Sequence, residues 1–291
     1  MLQLRQPGFI GGSRFNTRLD AKPFDAMRKR PSLSSGESWV QGSHDARWDF
    51  RGSGPHCNFA VASPEKASWS ILMTRHVVPY RLALDIPFQK YVRDPSELID
   101  LDLGVVRLMD RPVLGSSHPT IIFRHPSRND DSRTLIAAAL PESGFIHNKG
   151  YVHAIRHREA IEEDVLLALL GYLNSHVCDW WARRFVDRHV TAPVVNNLPL
   201  PDWNQEVLCK VAQASAALLA RGGVTRLAGC RSIVDTMSTE SDFDLHVMID
   251  VKAAQGFDLG RGEVIAMMQD FSTTEAGCST SMRAAIAECL R

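Results

Sequence analysis

The chain has 291 residues, 44% hydrophobic and 23% charged, a globular balance with room for one large domain or two modest ones. Lys and Arg together equal Asp and Glu at 33 each, so the net charge is zero. No run approaches the roughly 18 apolar residues that a membrane span needs. The neutral total hides an uneven spread. Residues 1–60 carry nine basic and five acidic side chains, whereas residues 232–291 carry four and ten. A basic front permits a polyanionic partner. The stretch MLQLRQPGFIGGSRF lacks the apolar core of a secretory signal. The six cysteines are scattered and form no C-x-x-C, which argues against structural zinc and a disulfide framework and for a reducing, cytoplasmic setting.

Residues 1–60 are rich in Gly, Ser, Pro and Arg and read as loops and short strands, with RWDFRGSGPH (Arg47–His56) mixing aromatics, arginines and turn formers. From Ser68 to Ile155 the runs SWSILMT, GVVRLM, TIIF, TLIAAAL and YVHAI predict short strands between clusters of Gly, Pro, Asn and Asp. After Ala160 the period changes. Leu166, Leu169, Leu170, Leu173, Val177 and Trp180 fall on one helical face. The prolines of APVVNNLPLP predict an extended segment after that helix. Asp202, with Gln205 three residues on, predicts the cap of a helix that buries Val207, Leu208, Val211, Ala214, Leu218 and Leu219 and stops at Gly222-Gly223. Residues 224–241 read as a linker. Short helices are predicted around Leu245–Ala253, Glu263–Asp270 and Met282–Leu290.

Most signatures of catalysis are missing. There is no phosphate-binding Gly-rich loop and no G-x-S-x-G elbow. His153 and His157 are four apart, but Ala154 stands where a zinc protease needs glutamate. Ser63-Pro64-Glu65-Lys66 matches S-x-x-K without its partner motifs. Asp244, Asp250 and Lys252 contain the residue types of a metal-dependent nuclease, but on a helix Asp250 and Lys252 point to different faces. The cluster Arg183, Arg184, Arg188 and His189 follows the Trp180-Trp181 pair. Cations there can answer a helix C-terminus, and their number also suits phosphate contact. Asn174 and Ser175 interrupt an apolar face and, if buried, must find hydrogen-bond partners.

Three segments carry a family resemblance. They are RTLIAAALPESGFIHNKGYV (Arg133–Val152), LLALLGYLNSHVCDWWARRFV with the later NNLPLP, and LHVMIDVKAAQGFDLGRGEVIAMMQDFS (Leu245–Ser272). Together they resemble the C-terminal target-recognition region of large adenine-specific DNA methyltransferases. That group includes type IIG restriction–modification enzymes, bacteriophage-exclusion methyltransferases and TaqI-type specificity domains. The pieces stand in the family's order: Arg133-Thr134, Asn148-Lys149, Leu173-Asn174-Ser175 and Leu198-Pro199-Leu200-Pro201. Gly256-Phe257 departs from the Tyr-Gly usual at the late turn. The family's catalytic half carries an S-adenosylmethionine loop and an Asn-Pro-Pro-Tyr/Phe motif for a flipped adenine, and neither occurs in residues 1–291.

The resemblance implies a mixed α+β protein. A short-stranded recognition domain with long, variable DNA-reading loops is expected over residues 1–155. A helical support carrying the Leu-Asn-Ser helix and the Leu-Pro-Leu-Pro strand follows over 156–223, then a linker and C-terminal helices over 224–291. It implies a sequence-specific double-stranded DNA recognition module in a phage-defence setting. A methyltransferase catalytic domain or subunit is the expected partner; S-adenosylmethionine belongs to the parent enzyme, and no cofactor, metal or catalysis is expected of this chain alone. A truncated reading frame, a split gene and a separate specificity subunit all fit such a chain. Arg47, Arg51, Arg124, Arg128, Lys149, Arg183 and Arg184 are the expected DNA contacts. Arg133, Asn148, Asn174, Ser175, Pro199 and Pro201 are the expected structural motif residues. The rival readings are a metal-dependent nuclease and a protein-interaction module.

Overall fold

The computed structural model describes residues 18–64, 68–93, 98, 120–140, 144–157, 161–222, 239–274 and 277–290. The fold is mixed α+β: eight helices and two four-stranded sheets among these residues. The first sheet has the order β1 (Ser43–Asp45), β8 (Val152–Arg156), β5 (Thr120–Arg124), β6 (Ala137–Leu140), all antiparallel. The second has the order β2 (Ala60–Val61), β4 (Tyr91–Val92), β3 (Trp69–Ile71), β7 (Phe145–Ile146), with β3 and β7 parallel. The predicted run GVVRLM lies outside the described residues, as do most of the predicted linker and part of the S-x-x-K match.

Both faces of the first sheet are covered, so its strands read as nearly continuous apolar runs. Alternation along each strand sorts them. Ile121, Phe123, Ala137, Ala139 and Ile155 join the large core shared with the helices. Ile122, Ala138, Leu140, Val152 and Ala154 pack on Leu72, Val77 and Leu82. The second sheet has its own cluster, in which Trp48 and Phe50 meet Ile71, Val92 and Ile146.

The leucine-rich segment is two helices, not one: α2 (Glu163–Leu173) and α3 (His176–Arg183). Asn174 caps the first. The Ser175 side chain caps the second by accepting from Cys178 N at 3.1 Å while donating to Tyr172 O at 2.7 Å. Every residue from Leu166 to Leu173 is buried, so α2 is a central helix, and α5 (Gln205–Arg221) lies along it. The approach is close because Gly171 has no side chain; a Cβ there would run into Ser215 Oγ and lie 2.9 Å from Val211 Cγ1. The remaining helices, α6 (Asp242–Gln255), α7 (Arg261–Met268) and α8 (Thr280–Cys289), close the helical side. Among the described residues no helix is long and apolar enough to cross a membrane.

Three local expectations are corrected. Residues 18–28 form helix α1 despite Pro23, because Phe24 and Met27 find a buried site where Phe24 stacks on Trp181 at 4.9 Å. The segment after α3 is not extended throughout. Ala192–Asn196 make a short helix, α4, which Pro193 tolerates because its missing N–H falls in the first turn. The cap of α5 is Asn204, whose Oδ1 accepts from Val207 N at 3.0 Å, while Asp202 pairs with Arg30.

Candidate nucleic-acid interface

The family-like pieces meet in one buried network. Asn174 meets the outer edge of β6 beside Tyr80, which bridges that edge through Tyr80 N to Ala137 O at 2.8 Å and Ala139 N to Tyr80 O at 3.0 Å: Asn174 Oδ1 accepts from Ala137 N at 3.1 Å, and its Nδ2 donates to Ala137 O and Leu170 O, both at 3.0 Å. A side-chain amide and the Tyr80 backbone together complete this buried strand edge as a neighbouring strand would. Asp179, fully buried, accepts from Arg133 Nε at 2.8 Å, Thr134 N at 3.0 Å and Leu135 N at 2.7 Å. Arg133 also donates to Asn174 O at 2.5 Å. Tyr172 donates to Pro199 O at 2.5 Å, and Trp39 Nε1 to Pro201 O at 2.9 Å. The Leu-Pro-Leu-Pro segment exchanges backbone bonds with Pro31–Leu33. Asp179 went unnoticed in the sequence; its only signal was an acid next to two tryptophans on a helix with no apparent partner.

The turn Asn148–Tyr151 connects β7 of one sheet to β8 of the other. Asn148 is buried and its backbone closes the turn with Tyr151 and Val152. Lys149 N donates to Trp48 O at 2.7 Å, which ties the turn to the 47–56 loop. The Lys149 side chain is exposed and makes no hydrogen bond or ion pair among the described residues. Arg51 is half exposed, lies along Gly150 and pairs with Asp49 at 2.6 Å. That hydrogen bond holds the Asp49 carboxyl down at about 2. Next to Tyr151 comes His125, whose N donates to Tyr151 O at 3.0 Å. Residues 125–127 then pair with 188–190, through Ser127 N to Arg188 O at 3.1 Å and Val190 N to His125 O at 2.9 Å. A cleft lined by Pro126, Ser127, Arg128, Asp131 and Arg188 continues the same strip. Arg128 is exposed and paired with Asp130 at 3.0 Å. Arg188 is exposed, and its guanidinium has no partner among the described residues.

The remaining expected contacts are placed differently. Arg183 and Arg184 do not emerge at the surface; their side chains are 6% and 5% exposed. Arg183 donates to the carbonyls of Asn129, Asp131, Ser132 and Asp270 and lies 4.4 Å over the Phe271 ring. Arg184 pairs with Asp270 and lies 4.1 Å over Trp180. The physical reason is that α3 ends inside the protein, where backbone carbonyls take the terminal NH groups of Arg183 and the carboxylates of Asp179 and Asp270 lie against the two guanidinium groups. Arg124 is half buried and donates Nε to Val77 O at 2.7 Å, and burial lowers its pKa. Arg47 is mostly covered and paired with Asp45 at 2.8 Å. Of the seven expected contacts, Arg51, Lys149 and Arg128 lie on the exposed strip, and Arg188 joins them.

The nuclease set does not converge. Asp250 is buried, accepting from His176 N and facing His176 Nδ1, both at 2.6 Å. Asp244 caps α6 with Ser241, and Lys252 donates to Gln255. Among the described residues no group of three or more His, Cys, Asp or Glu side chains is arranged to hold a metal ion.

No protein-family model matches the chain, and no curated protein matches it either. Among solved structures it is similar to the type IIL restriction–modification enzyme MmeI in complex with DNA, at 14% identity and a TM-score of 0.44. The alignment covers 75% of this chain and 33% of that one, so the chain spans about a third of the enzyme's length. A likeness that shallow transfers no residue role.

Proposed function

We propose that this chain reads double-stranded DNA in sequence-specific fashion, as the target-recognition part of an adenine-specific methyltransferase of a restriction–modification system. The observation that carries the reading is the arrangement of the family-like pieces. Arg133-Thr134, Leu173-Asn174-Ser175 and Leu198–Pro201 are spent on one buried scaffold, while Asn148-Lys149 forms the turn that projects from it. That turn, Arg51, Arg128 and Arg188 place cations along one strip beside the 47–56 loop. Phosphate contacts from such cations would fix the register of the protein on the duplex, and loop side chains would read base edges. Methyl transfer and S-adenosylmethionine are assigned to a separate catalytic domain or subunit, since residues 1–291 carry neither catalytic motif.

Selection from a randomised duplex library at two salt concentrations tests this. The expected result is enrichment of one short adenine-containing motif, with affinity falling steeply as salt rises. Lys149→Ala and Arg188→Ala should each flatten the salt dependence by about one released counterion. A folded sample that retains no duplex would refute the proposal and leave a protein–protein interface as the better reading. Plasmid cleavage lost on Asp250→Ala would favour the nuclease.

A further inference from the structure

The strip contains a feature that cations alone do not explain. Three imidazoles stand in a stack. His153 is buried, His125 lies on it with ring centroids 3.8 Å apart and planes 23° apart, and His189 lies on His125 at 4.6 Å and 12°. The inner end is locked. His153 Nε2 donates to Lys149 O at 2.7 Å, so its Nδ1 must accept, and it does so from His44 Nε2 at 2.7 Å. The middle ring is locked too, with His125 Nδ1 donating to Val190 O at 3.1 Å. Burial pushes the His153 ring down to about 3 and lowers His125 and His44, so these inner rings stay neutral. The outer ring, His189, is held by a backbone bridge to Pro126 and belongs to an exposed residue that stacks on His125.

A pre-built stack of planar rings that ends at the surface is a platform for one more planar ring. We propose that His189 is a stacking site for an unpaired nucleobase, with Arg188 beside it to hold that nucleotide's phosphate. This rests on the DNA-recognition reading above. Arg188, exposed and next to His189 in the chain, supplies a charged group, and the end of the stack supplies an aromatic plane, the two chemical features of one nucleotide. A base within an intact duplex already has both faces covered by its neighbours. The platform therefore favours a base that is bulged, mismatched or extruded, whose unstacking has already been met. The backbone ladder between 125–127 and 188–190 keeps the platform rigid, so little ordering remains to oppose binding.

The test compares a duplex carrying one bulged adenine with the same duplex fully paired, using the whole chain. Wild-type protein should bind the bulged duplex about tenfold more tightly, the scale of one base–aromatic stack. His189→Ala should abolish that preference, so that bulged and paired duplexes bind the variant equally. His189→Phe, which restores a plane without charge, should keep it. His189→Lys, which supplies a cation without a plane, should lose it. His189 is exposed, so all three variants should retain the wild-type melting temperature. Binding of paired and bulged duplexes with equal affinity overturns the platform and leaves the DNA-recognition reading standing. A preference kept by His189→Lys and lost by His189→Phe also overturns it, since that pattern marks a phosphate contact. Failure to bind either duplex overturns the recognition reading and the platform with it.

Discussion

Replacing Asp179 by Asn removes one charge and changes almost no volume, yet it should be among the most damaging substitutions in this chain. The carboxylate is fully buried and accepts from Arg133, Thr134 and Leu135. An asparagine keeps one acceptor oxygen. Turned toward the two backbone N–H groups, it presents its own NH2 to Arg133 Nε, donor against donor. Turned the other way, it opposes both backbone groups. Either way the Arg133 guanidinium, 13% exposed, loses the carboxylate with which it forms an ion pair. Breaking a buried pair from one side costs roughly 3–5 kcal/mol. Because Arg133 retains its bond to Asn174 O, the lower end, about 3 kcal/mol, is expected. Against a total stability of roughly 5–15 kcal/mol that is a large share. The melting temperature should fall by roughly 10 °C, at a few degrees per kcal/mol for a chain of this size. Urea unfolding followed by tryptophan emission reports it directly, since Trp180 and Trp181 are buried beside the site. Adding Arg133→Met should cost much less in the Asp179→Asn background than in wild type, because the charge needing a partner is then gone. A loss below about 1 kcal/mol for Asp179→Asn, or full additivity in the double variant, would refute this account of the network.

Asn174→Asp should be worse than its size suggests. It sets a carboxylate against Ala137 O and Leu170 O in place of two donated bonds, for a loss of roughly 2–4 kcal/mol by denaturant titration. Gly171→Ala should cost roughly 1–3 kcal/mol through overlap with Ser215 and Val211, and Ser215→Ala should recover part of that loss. Stability should fall on both sides of neutrality. His44, His76, His125, His153, His157 and His246 all have lowered pKa values, chiefly from burial. Below about 6.5 the unfolded chain binds protons that the folded one refuses, so stability drops with acid, by up to about 1.4 kcal/mol per pH unit per group. His176 has the opposite sign. Burial works against its charge, but the Asp250 carboxylate prevails and raises it to about 9. Its contribution is complete below about 6.5 and disappears as pH rises through 9. Melting temperature measured across pH should therefore form a dome, and His176→Gln should remove most of the alkaline decline.

Much of this was legible in the sequence, for reasons that differ from place to place. The strands in TIIF, TLIAAAL and YVHAI declare themselves because they are buried on both faces and need apolar residues throughout. The helices over 205–221 and 242–255 show a clear period because one face of each meets the core. The break at Asn174-Ser175 stayed hidden because Leu166 to Trp180 remains in phase across it, so periodicity alone draws one helix through two. Helix α1 stayed hidden behind Pro23, and only the tertiary site for Phe24 on Trp181 reveals why it forms. The largest misreading concerned the arginines after the tryptophans. A run of basic residues beyond a helix reads as surface, and nothing local reveals that four carbonyls and the Asp270 carboxylate surround Arg183 and Arg184. Those carbonyls belong to backbone distant in sequence, where residue type leaves no trace. The His125–His189 stack was invisible for the same reason, being made by residues 64 positions apart.

The burial of Arg183 also governs how the neighbouring loop moves. Its guanidinium holds the carbonyls of Asn129, Asp131 and Ser132, so residues 129–132 cannot peel away without stranding a charge in the interior. Local opening of this segment is thereby tied to loosening of α3 itself, and an outer loop inherits the opening free energy of a core helix. Its amides should exchange with solvent on the timescale of that helix, and proteases should find it closed. Arg128 and Arg188 are thus presented on a surface already fixed before any partner arrives.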